Sequence, residues 1–446
     1  MRIGFAYRDG EAGALKPRTL TEAALKPIRA SIPACKALAQ GGVGWKVDSF
    51  MDRRPCWVEV STRNLEDNFR VLAKSAAPVD LLAIVKADAY GHGLAHCAPA
   101  AARAGARWLG VTSVEEGVVA RGLCPDAEIL AIGGPFAGQG KGVIAHRLTA
   151  VVWEHWQIDA LELAASSASA GTIPVHLELD TGMSRQGVGP ENLDEILARF
   201  VSGADSALRL DGLMSHLYAA DESDGIATRE QFVLLERMVE RVFATGLRPT
   251  WLHVGNSAAV MAGDALETLR ALCERFGLKP LARPGLALYG LAPEFAPEEP
   301  ERVTQLHTEL KPVLEWKTRV VSVRPVAPGQ AVGYNGTFVA TEPMRVALLA
   351  VGYADGLKRA LSNRGHVLIG GQCAPIIGRI SMDQTVVDVT EIAGAAPGDE
   401  VVLLGRQGAA SITAEQHAAW AGTISWEIFT SITQRVNRLE INRLEI

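Results

Sequence analysis

Eight short apolar runs, separated by stretches of helical character, restrict the fold of this chain more than any other feature. The runs lie at 81–85, 108–112, 128–132, 148–152, 173–179, 208–214, 250–254 and 281–290. Strands that alternate with helices form parallel sheets, and eight such units close into a (β/α)8 barrel. We therefore predict a barrel of this type over residues 51–300, with a doubly wound open sheet as the alternative.

The pattern changes after residue 300, where β-rich runs bounded by Gly, Pro and Asn replace the alternation. Segments such as APGQAVGYNG and AAPGDE supply residues that are typical of turns. We predict a second, mostly antiparallel β-domain over residues 301–441. The Pro/Glu-rich segment 292–301 is the expected junction, and TAEQHAAWAG is the expected single short helix of this domain.

The two ends of the chain fall outside these domains. Residues 1–50 have poor periodicity and lack the apolar core of a secretory signal, so we expect a disordered or non-native extension before Met51. Residues 442–446 repeat the NRLEI that precedes them and are expected to form a tail.

The composition argues against several function classes. The formal net charge of −6 leaves no basic excess to neutralise nucleic-acid phosphates. No apolar run approaches the roughly 20 residues that cross a bilayer. The six cysteines are scattered without a C-x-x-C pair, which favours neither a disulfide framework nor a zinc site. We expect a cytoplasmic protein with no metal and with no nucleic-acid or membrane partner.

Polar side chains follow many of the eight runs. In a barrel the carboxyl ends of the strands gather at one mouth, which is where catalysis takes place. Strand ends are also polar because they lie near solvent, so position alone does not identify a catalytic group. The residues at these positions are Lys86, Asp180, Ser215, His216, Asn256 and Ser257, and Arg283 lies within the eighth run.

Lys86 follows the run LLAIV and precedes ADAYGHG. With its stem among Ile84 and Val85 it would be partly desolvated, which lowers its pKa and makes the neutral amine accessible. Such an amine forms Schiff bases with carbonyl compounds, including pyridoxal phosphate. A rim lysine that extends its amine into solvent is the alternative, and Lys86 taken alone favours it.

A phosphate site is indicated where the seventh run gives way to a helix. Asn256 and Ser257 are residue types that begin helices, and helix N-termini bind anions. Gly285 would allow the backbone to approach a phosphate closely. Plain helix capping is the alternative. Arginine is always protonated, so Arg283 beside a pyridoxal ring nitrogen would leave that nitrogen unprotonated and the ring a weaker electron sink.

Tyr353 is the candidate acid or base of the second domain. It ends the run MRVALLAVG and precedes a turn. A tyrosine with a lowered pKa can act as a general acid or base. The alternative is a packed tyrosine whose hydroxyl has a structural partner.

Seven segments, taken together, resemble the alanine racemase family of pyridoxal phosphate enzymes. They occur in the family's order within about Trp57 to Arg438 and read AIVKADAYGHG, HLELDTGMSRQGV, LMSHL, HVGNSA, ARPGLALYGL, VGYADG and ISMDQTVVDV. The resemblance implies a barrel followed by a β-domain in a head-to-tail homodimer. It also implies conversion between L- and D-alanine by two-base proton transfer on a pyridoxal phosphate aldimine, which supplies D-alanine for peptidoglycan.

Other functions stay open at this point. They are a racemase of serine or of broader amino-acid specificity, and a non-catalytic barrel protein that binds pyridoxal phosphate. An amino-acid decarboxylase is disfavoured by the lack of a cysteine-centred decarboxylase signature and by the presence of SMDQ.

The resemblance also implies roles for individual residues. Lys86 would bond the cofactor and act as the base on one face of the substrate, and Tyr353 of the partner subunit would be the base on the other. Arg283 would face the pyridine nitrogen and be tuned by His216. Arg185 would contact the ring oxygen and the substrate carboxylate. The cofactor phosphate would be held by Tyr90, Ser257, Gly285 and Leu286, and Asn256 is a further cofactor-binding candidate. The backbone of the partner's Met382 would help to place the carboxylate, with Asp383 as a supporting residue. Tyr334 would line the entrance.

The sequence departs from the family pattern at three positions. Many members carry a carbamate-modified lysine where Glu178 stands, and we interpret Glu178 as a built-in anion that orients Arg185. Many members also carry a phosphate-binding tyrosine where Gln434 stands, and a proline where Asn437 stands.

Overall fold

The computed structural model describes residues 54–168, 171–201 and 207–441. The predictions for residues 1–50, for Met51 and for the tail 442–446 lie outside the described residues.

Eight parallel strands close into a barrel, in which each strand pairs with the next along the chain and the last pairs with the first. This confirms the predicted fold class and excludes the open sheet. The strand that precedes the barrel, Cys56–Ser61, is numbered β1. The barrel strands are β2 (Asp80–Ile84), β3 (Trp108–Val111), β4 (Glu128–Ala131), β5 (Thr149–Val152), β6 (Ile173–Glu178), β7 (Leu208–Met214), β8 (Trp251–His253) and β9 (Lys279–Ala282).

The last barrel strand ends earlier than the apolar run 281–290 predicts. β9 stops at Ala282, and a short 3-10 helix covers Leu286–Tyr289. Pro284 has no N–H group to donate to a strand ladder, so the pairing cannot continue through it. Arg283 therefore lies just beyond the strand rather than within it.

The interior of the barrel is filled by alternate residues of its strands, because successive side chains of a strand point to opposite faces. Its apolar members are Leu82, Ile84, Trp108, Leu130, Val151, Met214 and Leu281. The same alternation aims Glu178 inward two residues beyond the buried His176, and Arg283 inward two residues beyond Leu281. The polar groups of the barrel mouth thus continue the register of the core.

Helices surround the barrel, and some of them begin with a side-chain cap. Ser61, for example, accepts a hydrogen bond from the Asn64 N–H at the start of the first helix, at 3.2 Å. None of the described helices combines the length and the apolar character of a membrane span. The helices of this region are Thr62–Ala76, Leu94–Ala104, Val114–Leu123, Gly140–Ala145, His155–Ala168, Leu193–Val201, Ile226–Ala244, Ser257–Ala262 and Asp264–Phe276.

The second domain is a mostly antiparallel sheet, as predicted, with the strand order β15-β14-β17-β10-β1-β19. β1 precedes the barrel in the chain but belongs to this sheet, because it pairs antiparallel to β10 and parallel to β19. The strands are β10 (Leu314–Val326), β11 (Ala331–Val332), β12 (Phe338–Val339), β13 (Met344–Leu349), β14 (His366–Ile369), β15 (Gln372–Pro375), β16 (Thr385–Asp388), β17 (Glu400–Gln407), β18 (Ala410–Ile412) and β19 (Asn437–Ile441).

This region has more helix than the sequence predicts. The predicted helix covers Ala414–Ala421 and begins with a capping box between Thr413 and Gln416. Two further α-helices, Glu301–Glu309 and Ser425–Thr430, have no counterpart in the prediction. Short 3-10 helices cover Tyr334–Gly336, Tyr353–Asp355 and Arg359–Leu361.

Candidate active site

A cavity of about 270 Å³ opens at the mouth of the barrel where the strands end. Nine residues predicted from the sequence line it: Lys86, Tyr90, Arg185, His216, Asn256, Ser257, Arg283, Gly285 and Leu286. The remaining lining residues were not predicted: Ile84, Ile132, Met214, Asp221, Ala258, Pro293 and Trp426. Ile84 and Met214 end barrel strands, so the strand-end argument could have found them. Trp426 comes from a helix of the second domain and has no local signal.

Lys86 begins a left-handed turn that the sequence did not predict. Ala87, Asp88, Ala89 and Tyr90 all have φ values of +53° to +55°. Left-handed backbone costs non-glycine residues roughly 1–2 kcal/mol each, and such strain clusters at functional sites. The turn redirects the chain directly after β2, so that Lys86 and Tyr90 both line the cavity.

Contacts from other elements hold this turn in place. One carboxylate oxygen of Glu116 accepts the Ala87 N–H at 2.7 Å, and the other accepts the Thr112 N–H at 2.8 Å. The Asp88 carboxylate accepts the Leu94 N–H at 2.6 Å. A charged acceptor on an N–H group makes a strong hydrogen bond, so these contacts offset part of the cost of the left-handed backbone.

The surroundings of Lys86 favour its neutral amine. Burial lowers the pKa of Lys86, and the nearby cations Arg185 and Arg283 lower it further, while Glu116 acts in the opposite direction. A lysine with a lowered pKa can act as a nucleophile or a base. Lys86 is half-buried and lines the cavity.

The predicted phosphate residues Ser257 and Gly285 lie together in the cavity wall. The Ser257 hydroxyl accepts the N–H groups of Gly285 at 3.0 Å and Ala287 at 3.1 Å, and so ties the two loops together. A Cβ atom at Gly285 would lie 2.4 Å from the Tyr90 hydroxyl, so only glycine fits beside Tyr90 in this arrangement. Asn256 caps the following helix by accepting the Ala259 N–H at 3.2 Å, as its capping alternative predicted.

Arg283 is buried and is surrounded by neutral acceptors. It donates to the carbonyl oxygens of His253 and Ser215, both at 2.7 Å. It also donates to His253 Nδ1 at 3.2 Å and to His216 Nδ1 at 3.1 Å. Burial lowers the pKa of Arg283 to about 10, against the opposing effect of Glu178, so the guanidinium stays charged at neutral pH. Burial likewise lowers the pKa of His216 to about 3, and the charge of Arg283 adds to this, which keeps the imidazole neutral.

Glu178 is buried beside this cluster. Its carboxylate accepts a hydrogen bond from the Gln186 side chain, the neighbour of Arg185 in the chain. Burial raises the pKa of Glu178 to about 7, while Gln186, Arg283 and Arg185 act in the opposite direction. Among the described residues the hydrogen-bond partner of the Glu178 carboxylate is thus Gln186, and Glu178 interacts with Arg185 through charge rather than through a direct ion pair.

The predicted residues of the second domain do not reach the cavity of their own chain. Tyr353, Met382 and Tyr334 are 41%, 53% and 68% exposed, and none of them lines it. The Tyr353 N–H donates to the Ser381 carbonyl at 3.0 Å, and the Ala354 N–H donates to the Met382 carbonyl at 3.0 Å. The loops that carry Tyr353 and Met382 therefore form one exposed unit. Gln434 is also absent from the cavity lining, and Asn437 begins β19 opposite Trp57.

Ion pairs stabilise the exposed unit that carries Tyr353 and Met382. The buried Asp355 accepts the Gly352 N–H at 2.8 Å and pairs with Arg435 at 3.0 Å and with Arg54. Arg435 also donates to the Asp383 carboxylate at 2.7 Å. The predicted supporting residue Asp383 is thereby linked to the turn of Tyr353.

The described residues fit pyridoxal phosphate. A half-buried lysine of the cavity can bond its aldehyde, Gly285 lets the backbone lie close beside the Tyr90 hydroxyl at the cavity wall, and a buried arginine can face its ring. A barrel with these groups at its mouth defines a pyridoxal phosphate enzyme. Residues 60–293 match the family model "Alanine racemase, N-terminal domain", and residues 313–440 match "Alanine racemase, C-terminal domain". The chain belongs to the alanine racemase family.

Comparisons of whole chains agree with the family models. The alanine racemase of Sorangium cellulosum (strain So ce56) is 38% identical over 395 residues, which is 86% of this chain and 98% of that protein. The alanine racemase of Halothermothrix orenii is 36% identical over 393 residues, or 88% and 98% of the two chains.

Solved structures show the same likeness. The alanine racemase from D-cycloserine-producing Streptomyces lavendulae has a TM-score of 0.79 at 33% identity and covers 88% of this chain and 98% of its own. The enzyme from Bartonella henselae, described with covalently bound pyridoxal phosphate, has a TM-score of 0.73 at 27% identity, with 87% and 99% covered.

Proposed function

We propose that this protein interconverts L-alanine and D-alanine with pyridoxal phosphate, and that Lys86 and Tyr353 are its two bases. Membership of the alanine racemase family supports the reaction. The assignment of the two bases rests on which of them lines the cavity. The cavity contains Lys86 from its own chain, whereas Tyr353 lies on an exposed turn outside it.

Residues of the barrel would hold the cofactor. Lys86 would bond it, and Arg283 would face its ring nitrogen. When bound, the cofactor stabilises the negative charge that develops on the substrate carbon as its proton leaves. Arg283 donates to uncharged acceptors and stays protonated, so it would keep the ring nitrogen free of a proton and limit side reactions. The phosphate would be held by Tyr90, Asn256, Ser257, Gly285 and Leu286.

Arg185 would bind the substrate carboxylate, since it is a cation of the cavity wall beside Lys86. Glu178 would support it by charge, with Gln186 as the partner that fixes the carboxyl group. Met382 of a partner subunit would contribute its backbone to the same carboxylate, with Asp383 in support. Tyr334 would line the entrance, and His216 would tune Arg283 through the contact between them.

A racemase removes a proton from one face of the substrate and returns a proton to the other. Lys86 would serve one face, so a second base is needed opposite to it. The exposed unit that carries Tyr353 and Met382 is suited to complete the cavity of another copy of this chain. We therefore propose a head-to-tail homodimer in which each active site combines Lys86 of one subunit with Tyr353 of the other.

Mixed dimers test this arrangement. Lys86→Ala and Tyr353→Phe should each abolish racemisation, and Tyr353→Phe should keep the visible absorbance of bound cofactor. When the two variants are co-expressed, random pairing should restore about a quarter of the wild-type sites, because one of the two sites of each mixed dimer has both bases.

The matched control replaces Tyr353→Phe by the double variant, with which no site can be restored. If mixed dimers form, as detected by mass spectrometry, but stay inactive, the second base does not come from the partner subunit.

Substrate choice is tested with a panel of L-amino acids, added with cofactor and followed by chiral chromatography. We expect alanine to be converted to its D-form faster than serine or larger amino acids. Failure to convert alanine, together with good conversion of a larger side chain, would replace this substrate by the alternative of other or broader specificity.

A further inference from the structure

Two fully buried histidines inside the barrel, His176 and His253, have no part in the proposed proton transfer. His176 Nδ1 lies 2.8 Å from His253 Nε2, and His253 Nδ1 lies 3.2 Å from Arg283 Nη1. The three side chains form a continuous hydrogen-bonded line from the barrel core to the cavity. Only Arg283 of the three lines the cavity.

The direction of this line follows from the chemistry of arginine, which has donors but no acceptor. His253 Nδ1 must accept from Arg283 and therefore carries no proton. A neutral imidazole then has its proton on Nε2, and His253 donates it to His176 Nδ1. Burial lowers the pKa of His176 to about 4 and that of His253 well below its usual value, so both rings are neutral at neutral pH.

The sheet makes room for the His176 ring. The pairing of β6 with β7 shifts register between Val175 and His176, which sets Gly212 directly opposite His176. A Cβ atom at Gly212 would lie 2.6–2.7 Å from atoms of the imidazole. On another side, the Trp108 ring packs against His176 with 5.6 Å between ring centroids. Bulges of this kind re-aim side chains next to active sites.

The position of the His176 ring has an energetic cost. His176 Nε2 is buried and has no hydrogen-bond partner within the part of the chain that the structure describes. A buried donor without a partner is unfavourable, and an apolar ring would avoid this. The other ring nitrogen, His176 Nδ1, is the one that forms a hydrogen bond, as the acceptor for His253.

We propose that His176 is a positioning residue for Arg283. By accepting from His253 Nε2, it holds His253 in the tautomer whose Nδ1 accepts from Arg283, and so fixes the direction of the guanidinium. With the other tautomer, two N–H donors would face each other and the contact would be lost. This inference deepens the proposed function, on which it rests for the role of Arg283 toward the cofactor ring.

The direct test is ¹⁵N NMR of histidine-labelled holoenzyme, which distinguishes the two neutral tautomers. In the wild type we expect His253 to carry its proton on Nε2. His176→Leu removes the acceptor and should shift His253 toward the Nδ1–H tautomer. His176→Asn should restore the wild-type tautomer, since its carboxamide oxygen can accept near the position of Nδ1.

The second readout is the partition between racemisation and transamination. In transamination the amino group of alanine passes to the cofactor, which yields one pyruvate and one pyridoxamine phosphate per event. A displaced Arg283 no longer controls the ring nitrogen. His176→Leu should therefore raise the pyruvate formed per racemisation about fivefold, the ratio equivalent to one net hydrogen bond. His176→Asn should stay near the wild type.

Two further variants separate positioning from packing. Gly212→Ala displaces the His176 ring without removing a polar group, so we expect it to have the same effects on tautomer and partition as His176→Leu. It therefore serves as the test if His176→Leu does not fold. Trp108→Phe changes the packing on the ring but leaves the hydrogen bonds and should keep both the tautomer and the partition. The proposal would be overturned if wild type, His176→Leu and Gly212→Ala had the same His253 tautomer and the same partition between racemisation and transamination.

The NMR result does not depend on racemase activity. If the wild type fails to racemise alanine but the tautomer of His253 still depends on His176, the proposed function is wrong and the hydrogen-bonded line stands. If alanine is racemised but the tautomer is independent of His176, only the positioning role is wrong.

Discussion

The buried carboxyl group of Glu178 has two effects: it is proposed to support Arg185 in the active site, and it lowers the free energy of unfolding. Its pKa is raised from 4.5 to about 7, chiefly by burial. Between these values the folded protein holds a proton that the unfolded chain has released. The free energy of unfolding therefore falls as the pH rises through this range.

Glu178→Gln should remove this pH dependence. Above pH 7 the variant should be more stable than the wild type by about 3 kcal/mol, at about 1.36 kcal/mol per pKa unit, and the gain should shrink as the pH falls toward 4.5. The KM for alanine should rise, because the charge that supports Arg185 is lost. Urea denaturation across this pH range and steady-state kinetics measure the two effects. An unchanged KM would remove Glu178 from the support of Arg185.

Gly285→Ala tests the close approach of Gly285 to Tyr90 at the scale of one methyl group. The added Cβ would lie 2.4 Å from the Tyr90 hydroxyl, so either the tyrosine or the loop must move. Overpacking of this size costs about 1–3 kcal/mol, and we expect the affinity for pyridoxal phosphate to fall about tenfold or more. Fluorescence titration with the cofactor measures this. Gly122→Ala, where an added Cβ meets no atom within 4 Å, is the matched control and should bind normally.

At the scale of elements, the barrel strands could be predicted and the turn after Lys86 could not. Apolar runs predict strands because alternation and burial are local properties of the sequence. The segment Ala87–Tyr90 has no glycine or asparagine, and only Asp88 is of a type that adopts left-handed backbone occasionally. Its conformation depends on Glu116, which lies on a different helix and is brought close only by the fold.

Glu116→Gln should loosen this turn. The carboxylate accepts two backbone N–H groups, whereas a carboxamide has one oxygen and leaves one N–H facing an NH2 group. Loss of one hydrogen bond near solvent costs about 0.5–1.5 kcal/mol. Hydrogen exchange of residues 87–93, followed by mass spectrometry, should be faster than in the wild type. Glu115→Gln, a neighbouring exposed carboxyl bound to Gln139, should leave the exchange unchanged; equal effects of the two variants would contradict this anchoring role.

At the scale of the whole molecule, β1 connects the start of the barrel to the second sheet. The connection contains a buried cation, because Lys317 of β10 contacts Glu59 of β1 and Glu315 of its own strand, both at 3.0 Å, and Glu400 of β17 at 3.6 Å. Burial opposes the charged form of Lys317, but its hydrogen bonds to Glu315 and Glu59 outweigh this and raise its pKa. Its contribution to stability is therefore fully present at neutral pH and is lost only at alkaline pH.

Lys317→Met should destabilise the protein by about 3–5 kcal/mol, since it removes the cation that faces the buried Glu59 carboxylate. The double variant with Glu59→Gln should recover part of the stability, and thermal unfolding measures all three proteins. A double variant that is no more stable than Lys317→Met would show that the charge of Glu59 is not the source of the loss.

The sequence by itself determined the eight-strand barrel, the second β-domain, and the polar residues at the strand ends that gather around Lys86. These follow from apolar alternation and from the rule that parallel strands end together, both of which are local patterns. Only the tertiary structure decided the left-handed turn, the sheet to which β1 belongs, the entry of Trp426 into the cavity and the line from His176 to Arg283. Each of these depends on contacts between residues far apart in the chain, and no local pattern encodes such contacts.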